Sequence, residues 1–437
     1  MILKSNGINE ELEKKIIEYR RDFHKFAESG WTEFRTAAKV AEILDDLGFD
    51  LKLGEEVVDQ KARLGVPDEI VLEQHYERAK AQGANLRFLT KFKGGFTGVA
   101  ATIENGNGPT IAFRFDMDAV EMTESKSEEH RPVAEGFVSE NENADHACGH
   151  DGHTAIGLGL AEVLANNQNK ISGKIKLIFQ PAEEGVRGAK SIVEKGILDD
   201  VDYLYGLHLG LSIDSGKVYP GATGFLATSK FDAIFKGEPA HAGGSPETGK
   251  NSMLAATNAV NNLYAISRHS GGPTRVNVGK LEAGTGRNVI PDRAKLLIET
   301  RGSTSELNQY MYDQAVRVLR GSADIYQQEL EIKAMGGAKG AESDRELMER
   351  VYKIAGKSEG IDSVYQKAVD MGGSEDFTYM MERVQENDGQ ATFIILGSEI
   401  VSAHHTAEFD FNEADLVKGV NLLSNLALAG YVDYQKV

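Results

Sequence analysis

Residues 154–180 have the sequence TAIGLGLAEVLANNQNKISGKIKLIFQ, in which a helix and a strand follow each other directly. The part 154–166 is expected to be a helix, and KIKLIFQ at 174–180 a strand. Other short apolar strands are expected at TGVAATI (97–103), TIAFRFD (110–116) and VDYLYGLH (201–208). Because buried strands that alternate with helices are typical of parallel sheets, we predict an α/β protein with a largely parallel sheet.

Two further helices are expected before this sheet. Asn9 can cap the first, and the second is expected to run from a cap at Thr32 to Gly48. Residues 54–95 are charged and weakly patterned, with a helix expected after Pro67. This segment is interpreted as an elaboration on the surface, and no chemistry is assigned to it.

A different rhythm occupies residues 225–335. Strands and helices are expected there in the order βαββαβ, the split βαβ arrangement of ferredoxin-like modules. After it, helices and strands of the first kind resume. We therefore predict an inserted domain at 225–335 within a larger domain that is built from residues 1–224 and 336–437.

The composition, with 41% apolar and 26% charged residues, is that of a globular protein. The formal net charge of −19 would repel a phosphate backbone or an anionic bilayer, so neither nucleic acid nor a membrane surface is expected as a partner. No segment approaches the roughly 20 apolar residues that span a bilayer. The single cysteine, Cys148, cannot form an internal disulfide, and no signal peptide is evident, so a reducing cytoplasm is the expected location.

Polar clusters follow four predicted strands, at the edge where an open α/β sheet binds ligands. They are Asp116 to Asp118, Glu183 with Glu184, His208, and His404 with His405. The loop HACGHDGH (146–153) adds Cys148 and three histidines. Since cysteine, histidine and glutamate are ligand types that zinc or manganese accepts, this convergence predicts a metal site.

Adjacent Glu183 and Glu184 suit the hydrolysis of an amide. That reaction needs one group to hold the metal and a separate base to take a proton from the attacking water. The sequence leaves open which glutamate does which. Cys148 and His150 alternate, so both would project to one side in extended backbone. A thiolate there could bridge two ions, which form a hydrolytic clamp when they lie about 3.5 to 4 Å apart.

In chain order, the motifs FDMDAV, HACGHDGHTA, IFQPAEEG, GLH, AHAG, RNVIP, GSEDF, HH and FDF resemble those of the aminoacylase and glutamate carboxypeptidase family of two-metal amidohydrolases. The chain looks most like the branch of hippurate and indole-acetyl-amino-acid hydrolases, in which CGHDGH replaces an aspartate-bearing motif. The opening RRDFHKFAESGWTEFRTA (20–37) and residues 54–95 resemble aminobenzoyl-glutamate hydrolases. The likeness implies a metallopeptidase-like catalytic domain with an inserted ferredoxin-like lid or dimerisation domain.

The resemblance also implies residue roles. The metal ligands would be Cys148, His150, Glu184, His208 and His405, with Cys148 as the bridge. Glu183 would be the general base, and Asp118 would orient a ligand from behind. In the inserted domain His241 would polarise the substrate carbonyl, in this family often from the partner subunit. Asn288 and Arg301 would hold the carbonyl and the carboxylate of the substrate.

Two departures from the family pattern concern ligands. The family has one histidine, a small residue and proline before an aromatic residue, whereas this chain has HHTAEF. Counting back four from Phe409 selects His405, with His404 as the alternative. Asp116 stands where related branches place a metal-binding histidine, and a supporting or structural use is expected. His146 and His153 are expected to give local support, and the histidines at 24, 75, 130 and 269 to lie at the surface or in packing.

The implied reaction is hydrolysis of an N-acyl amino acid with two divalent ions, Mn²⁺ or Zn²⁺. The foremost substrate is p-aminobenzoyl-glutamate, giving p-aminobenzoate and glutamate, and hippurate or indole-acetyl-amino acids are the alternatives. The implied protein partner is a second copy or a homologous subunit, paired through the inserted domain. Two other interpretations stay open: Cys148 as a nucleophile beside a histidine base, and a ligand-binding paralogue without catalysis.

Overall fold

The computed structural model describes residues 6–429. Its helices are α1 (Glu10–Lys25), α2 (Phe34–Asp46), α3 (Glu69–Ala81), α4 (Leu86–Leu89), α5 (Arg131–Ala134), α6 (His150–Asn166), α7 (Ala189–Glu194), α8 (Ser252–Tyr264), α9 (Ser305–Ile325), α10 (Arg345–Ala355), α11 (Phe377–Glu386) and α12 (Ala414–Leu428). Its strands are β1 (Asp50–Leu53), β2 (Val99–Asn105), β3 (Thr110–Asp116), β4 (Gly173–Gln180), β5 (Tyr203–Leu209), β6 (Lys217–Tyr219), β7 (Ala222–Thr223), β8 (Ala227–Lys236), β9 (Thr274–Ala283), β10 (Arg293–Gly302), β11 (Glu329–Ala338), β12 (Ser363–Val364), β13 (Val369–Asp370) and β14 (Gln390–Leu396).

The chain folds as two compact units. The first unit contains the described residues up to Thr223, Glu342–Met371, and those from Tyr379 onward. The second unit contains Gly224–Ala341 together with the short segment Gly372–Thr378. The first unit is therefore assembled from separate stretches of the chain.

An eight-stranded sheet with the order β1-β2-β4-β3-β5-β14-β6-β12 forms the centre of the first unit. Its central strands β4, β3, β5 and β14 are parallel neighbours, whereas β1 and β2 are antiparallel at one edge. The predicted α/β class with parallel central strands is confirmed. Because parallel strands have their carboxyl ends at one edge, the segments that follow β3, β4, β5 and β14 begin close together.

Helix α6 is buried along almost its whole length. Two of its glycines allow a close approach to its neighbours. A Cβ at Gly157 would lie 2.7 Å from the ring of Phe115 in β3, and one at Gly159 would lie 2.6 Å from Val420 in α12. The absence of a side chain at these positions lets α6 pack tightly between the sheet and α12. The start of α6 is thereby held at the carboxyl edge of the sheet.

Local predictions met mixed outcomes. The Asn9 cap and the helix after Pro67 are confirmed, since Asn9 accepts the N–H of Leu12 and α3 begins at Glu69. The cap at Thr32 is wrong, because the Thr32 hydroxyl donates to the carbonyl of Ser29 and α2 begins at Phe34. The buried carboxylate of Glu28 instead accepts the N–H groups of residues 35 and 36, at 3.1 and 2.8 Å. A carboxylate there also complements the helix dipole.

The second unit contains an antiparallel sheet with the order β11-β8-β10-β9. Its elements follow the chain order β8-α8-β9-β10-α9-β11. Alternate residues of β10, including Leu296 and Ile298, join a hydrophobic core with Ala259 of α8 and with Met311 and Leu319 of α9. This unit thus has a core of its own. Within residues 6–429, no helix combines the length and apolar character that crossing a membrane requires.

Candidate metal centre

Residues from five separate segments meet at the carboxyl edge of the sheet in the first unit. Potential ligand atoms lie within 4.8 Å of one another in overlapping groups, which include Cys148 with His150 and His208, Cys148 with Glu184 and His405, and His150 with Glu183 and Glu184. All the first-unit residues predicted to bind metal are therefore brought together. Thiolate, imidazole and carboxylate donors are the set that zinc and related ions accept.

The imidazoles of His150 and His208 are oriented by backbone carbonyls. Nδ1 of His150 donates to the carbonyl of Asp118 at 2.8 Å, and Nδ1 of His208 donates to the carbonyl of Leu209 at 2.8 Å. In each ring Nε2 is then the nitrogen with a lone pair for a cation. Nε2 of His208 lies 3.6 Å from Sγ of Cys148.

The backbone at His150 differs from the expected one. His150 is the first residue of α6, and Gly149 before it has φ +84°, so this segment is not extended. The prediction that strand-like alternation would align Cys148 and His150 is wrong. The two side chains nevertheless converge in one group, because the chain turns sharply at Gly149.

The charge states of the buried donors depend on a cation. In the protein alone, burial raises the pKa of the Cys148 thiol to about 12 and holds the pKa of His208 well below its usual value. Burial opposes ionisation of Glu184 as well, but its bond to His405 and the charge of His150 lower the pKa of this carboxyl. A divalent ion would stabilise the thiolate, since a coordinating thiol loses its proton.

The turn after β4 separates the two glutamates. The carboxylate of Glu184 lies 3.2 Å from Nε2 of His405, whereas Oε2 of Glu183 lies 4.0 Å from Nε2 of His150. Asp118 orients both residues through the backbone, because its Oδ1 accepts the N–H of Glu183 and its Oδ2 that of Glu184, each at 2.9 Å. Asp118 therefore fixes this turn as well as His150.

The two adjacent histidines after β14 have different surroundings. His405 has φ +61°, donates its N–H to the carbonyl of Ala147, and is half-exposed beside Glu184. The ring of His404 packs 5.5 Å from that of His208 and 4.7 Å from that of Phe409, and burial lowers its pKa to about 4. This geometry favours His405 as the ligand and His404 as a packing residue.

Asp116 and His153 support the cluster from behind. Asp116 accepts hydrogen bonds from Arg114 and from Nδ1 of His153, each at 2.5 Å. Burial opposes its ionisation, but His150, His153 and Arg114 hold the pKa of Asp116 well below its usual value. Nε2 of His153 accepts the N–H of Leu209 at 2.9 Å, so both nitrogens of this ring are used.

A buried charged network beneath the site was missed by the sequence analysis, which placed His24 at the surface or in packing. His24 lies between Asp151 (2.8 Å) and Glu124 (2.9 Å), and Arg20 also binds Asp151, at 2.7 Å. Burial opposes protonation, but the bonds to Asp151 and Glu124 raise the pKa of His24 to about 9. Arg20 and His24 are four residues apart beside the apolar positions of α1, and this spacing was the available signal.

The remaining predicted residues belong to the second unit. His241 forms an isolated bridge with Val289, and Asn288 accepts the N–H of Ala242 through its carbonyl at 3.0 Å. His241 and Asn288 are thus neighbours and are both exposed. Arg301 lies in β10, where its guanidinium pairs with Glu299 at 3.0 Å.

Comparisons with known proteins agree over nearly the whole chain. Residues 112–429 match the profile described as peptidase family M20/M25/M40. The indole-3-acetyl-aspartic acid hydrolase of Enterobacter agglomerans is 48% identical over 415 residues, which are 95% of each chain. One component of the p-aminobenzoyl-glutamate hydrolase of Escherichia coli (strain K12) is 47% identical over 418 residues, 95% of this chain and 96% of that one. The crystal structure of an aminobenzoyl-glutamate utilization protein from Klebsiella pneumoniae matches with a TM-score of 0.84 at 42% identity, covering 98% of both chains.

Proposed function

This chain belongs to peptidase family M20/M25/M40, and we propose that it is a metal-dependent amidohydrolase that cleaves the amide bond of an N-acyl amino acid. One observation carries the proposal. Thiolate, imidazole and carboxylate donors from distant parts of the chain lie within 4.8 Å of one another, beside a second carboxylate. Such a site has what hydrolysis needs, namely groups that hold a metal and a separate base.

The donor set fits two divalent ions. Cys148 belongs to one group with His150 and His208 and to another with Glu184 and His405, as expected of a bridging thiolate. We propose these five residues as the ligands. When bound, the ions would polarise the scissile carbonyl and make water more acidic. The thiolate favours zinc, whereas the carboxylate and imidazoles also suit manganese.

Glu183 is proposed as the general base. Its backbone is held by Asp118, and its carboxylate lies at the edge of the ligand cluster, 4.0 Å from His150. It would take a proton from the attacking water and later deliver it to the leaving amine. A carboxylate that is itself a ligand could do this less readily, which is why the other glutamate, paired with His405, is proposed as the ligand.

The relatives suggest the substrate class. One is named for p-aminobenzoyl-glutamate and another for indole-3-acetyl-aspartic acid. Both compounds join an aromatic acyl group to an acidic amino acid. We propose p-aminobenzoyl-glutamate first, because the similar Klebsiella structure is also named for it, and the indole-acetyl conjugate second.

The second unit is proposed to serve as a lid and a pairing surface. His241 and Asn288, which are neighbours, are proposed to contact the substrate carbonyl, and Arg301 its carboxylate. The sheet of this unit has free edges at β9 and β11 that another chain could extend. Since two relatives are named as one component of a hydrolase with more than one kind of chain, a homologous second chain is the proposed partner, with a second copy as the alternative.

The decisive test is hydrolysis by purified protein that has been loaded with Mn²⁺ or Zn²⁺. It would be given p-aminobenzoyl-glutamate, indole-3-acetyl-aspartate and hippurate, with and without a homologous second chain, and the products would be separated by chromatography. We expect release of p-aminobenzoate, its loss on chelation and its return on adding metal. Activity that survives complete chelation would favour Cys148 as a nucleophile, and metal binding without hydrolysis of any compound would favour a ligand-binding protein.

A further inference from the structure

The turn that carries Glu183 and Glu184 is held by two buried carboxylates from different segments. Asp118 accepts the N–H groups of both glutamates. Glu33 accepts the preceding N–H, that of Ala182, at 2.8 Å. Three consecutive backbone donors are therefore bound by side chains from outside the turn.

This turn needs such restraint because its backbone is strained. Ala182 has φ +54° and Val186 has φ +60°, and residues other than glycine adopt the left-handed region at a cost of about 1 kcal/mol or more. A conformation of this kind persists only when its surroundings enforce it. Ala182 directly precedes Glu183, so its backbone angles set the direction in which Glu183 leaves the turn.

Glu33 is itself firmly placed. It is fully buried just before α2, and its second carboxylate oxygen accepts the hydroxyl of Thr97 at 2.7 Å. Neither Glu33 nor Thr97 belongs to any polar cluster that follows a predicted sheet strand. Burying a carboxyl at this position is costly unless it performs such a bonding task.

We propose that Glu33 is a positioning residue for amide hydrolysis, which holds Ala182 in its left-handed conformation and so aims Glu183 at the attacking water. The inference rests on the proposed function and adds a residue that acts through the turn. What matters is the reach of the side chain and its acceptor oxygen.

The charge of Glu33 is of lesser importance. Burial, reinforced by the nearby Asp118, raises the pKa of Glu33 to about 8. The neutral carboxyl is thus accommodated near pH 7, and the amide of glutamine has the same shape and an acceptor for the Ala182 N–H. Aspartate keeps the acid but is shorter by one methylene group and cannot span Ala182 and Thr97.

The test compares Glu33→Asp with Glu33→Gln in the full-length, metal-loaded protein. We expect Glu33→Asp to lower kcat for p-aminobenzoyl-glutamate by about 10- to 100-fold, with KM and metal content unchanged, because a small misplacement of a catalytic group has effects of this size. Glu33→Gln should keep kcat within about threefold of wild type. Hydrogen exchange of a peptide covering residues 181–188 should be faster in Glu33→Asp and unchanged in Glu33→Gln.

Glu28→Asp is the matched control. Glu28 is also fully buried and binds two backbone N–H groups, but those of α2. Shortening it should lower the thermal stability without changing kcat or exchange in 181–188. Wild-type kcat in Glu33→Asp, or equal losses in both Glu33 variants, would overturn the positioning role. Should wild type hydrolyse no compound of the panel, the proposed function fails, and hydrogen exchange alone still decides whether Glu33 holds the turn.

Discussion

Sγ of Cys148 lies 3.6 Å from Nε2 of His208, although the two residues are 60 positions apart in the chain. Cys148 precedes α6 and His208 lies in β5, so their proximity depends on the packing of that helix against the sheet. This pair joins a thiol to an imidazole whose other nitrogen is fixed by the carbonyl of Leu209. Such an arrangement is typical of a metal ligand pair.

Replacing the bridging candidate should therefore remove metal. We expect Cys148→Ser to bind fewer ions per chain than wild type, because a neutral hydroxyl is a poor ligand compared with a thiolate. Loss of a supporting residue already costs about 10- to 100-fold in affinity, so loss of a ligand should cost at least about 100-fold. Metal analysis after dialysis measures this. Wild-type metal content in the variant would contradict the role of Cys148.

Removing the base should separate metal binding from turnover. We expect Glu183→Gln to retain the ions and to lower kcat by about 10²- to 10⁴-fold, since general-base catalysis contributes this much. Glu184→Gln is the companion variant and should lose metal as well as activity. If Glu183→Gln lost the ions and Glu184→Gln kept them, the two roles would be reversed.

The two histidines after β14 should behave differently. His405 lies 3.2 Å from Glu184, whereas His404 packs on the rings of His208 and Phe409. We expect His405→Ala to lower metal content and His404→Ala to keep it while reducing the melting temperature. Metal analysis and thermal unfolding of the two variants check this. Metal loss confined to His404→Ala would assign the ligand to the other histidine.

The two bonds that Asp118 makes to the glutamate turn give a further expectation. In Asp118→Asn one backbone N–H would face an amide N–H₂ group in place of an oxygen acceptor. We expect kcat or metal affinity to fall by about 10- to 100-fold, the usual effect of losing a residue that orients ligands. Asp45→Asn, which weakens an exposed pair with Arg87, is the control and should leave both quantities unchanged. An equally mild effect in both variants would exclude the orienting role.

The network around His24 predicts a pH dependence of stability. The pKa of His24 is raised from 6.5 to about 9 in the folded protein, so its stabilising contribution is complete below pH 6.5 and is lost as the pH rises through about 9. The shift corresponds to about 3 kcal/mol at most. We expect the unfolding free energy of wild type to fall between pH 6 and pH 10 by more than that of His24→Gln. Denaturant unfolding at both pH values measures this, with the exposed His269→Gln as the control. Parallel curves for wild type and His24→Gln would contradict the prediction.

Much of the fold followed from local pattern. The helix within 154–166 and the strand 174–180 are marked by short-range periodicity, and the structure has α6 and β4 over these residues. The start of α6 was misplaced, because His150 and Asp151 are polar and their burial depends on neighbours distant in sequence. The Thr32 cap failed for a related reason, since the carboxylate of Glu28 competes for the same donors and its approach is not a local property.

The sequence by itself determined the kind of protein and the kinds of donor: an α/β sheet, and a cysteine, histidines and glutamates that follow its strands. These are properties of residue type and spacing, which act over a few positions. Only the tertiary structure distinguished Glu184 from Glu183 and His405 from His404, put His150 on a helix, and brought Glu33 to Ala182, 149 positions away. Those choices depend on distances of a few ångströms between remote segments, which strand register and helix packing set together.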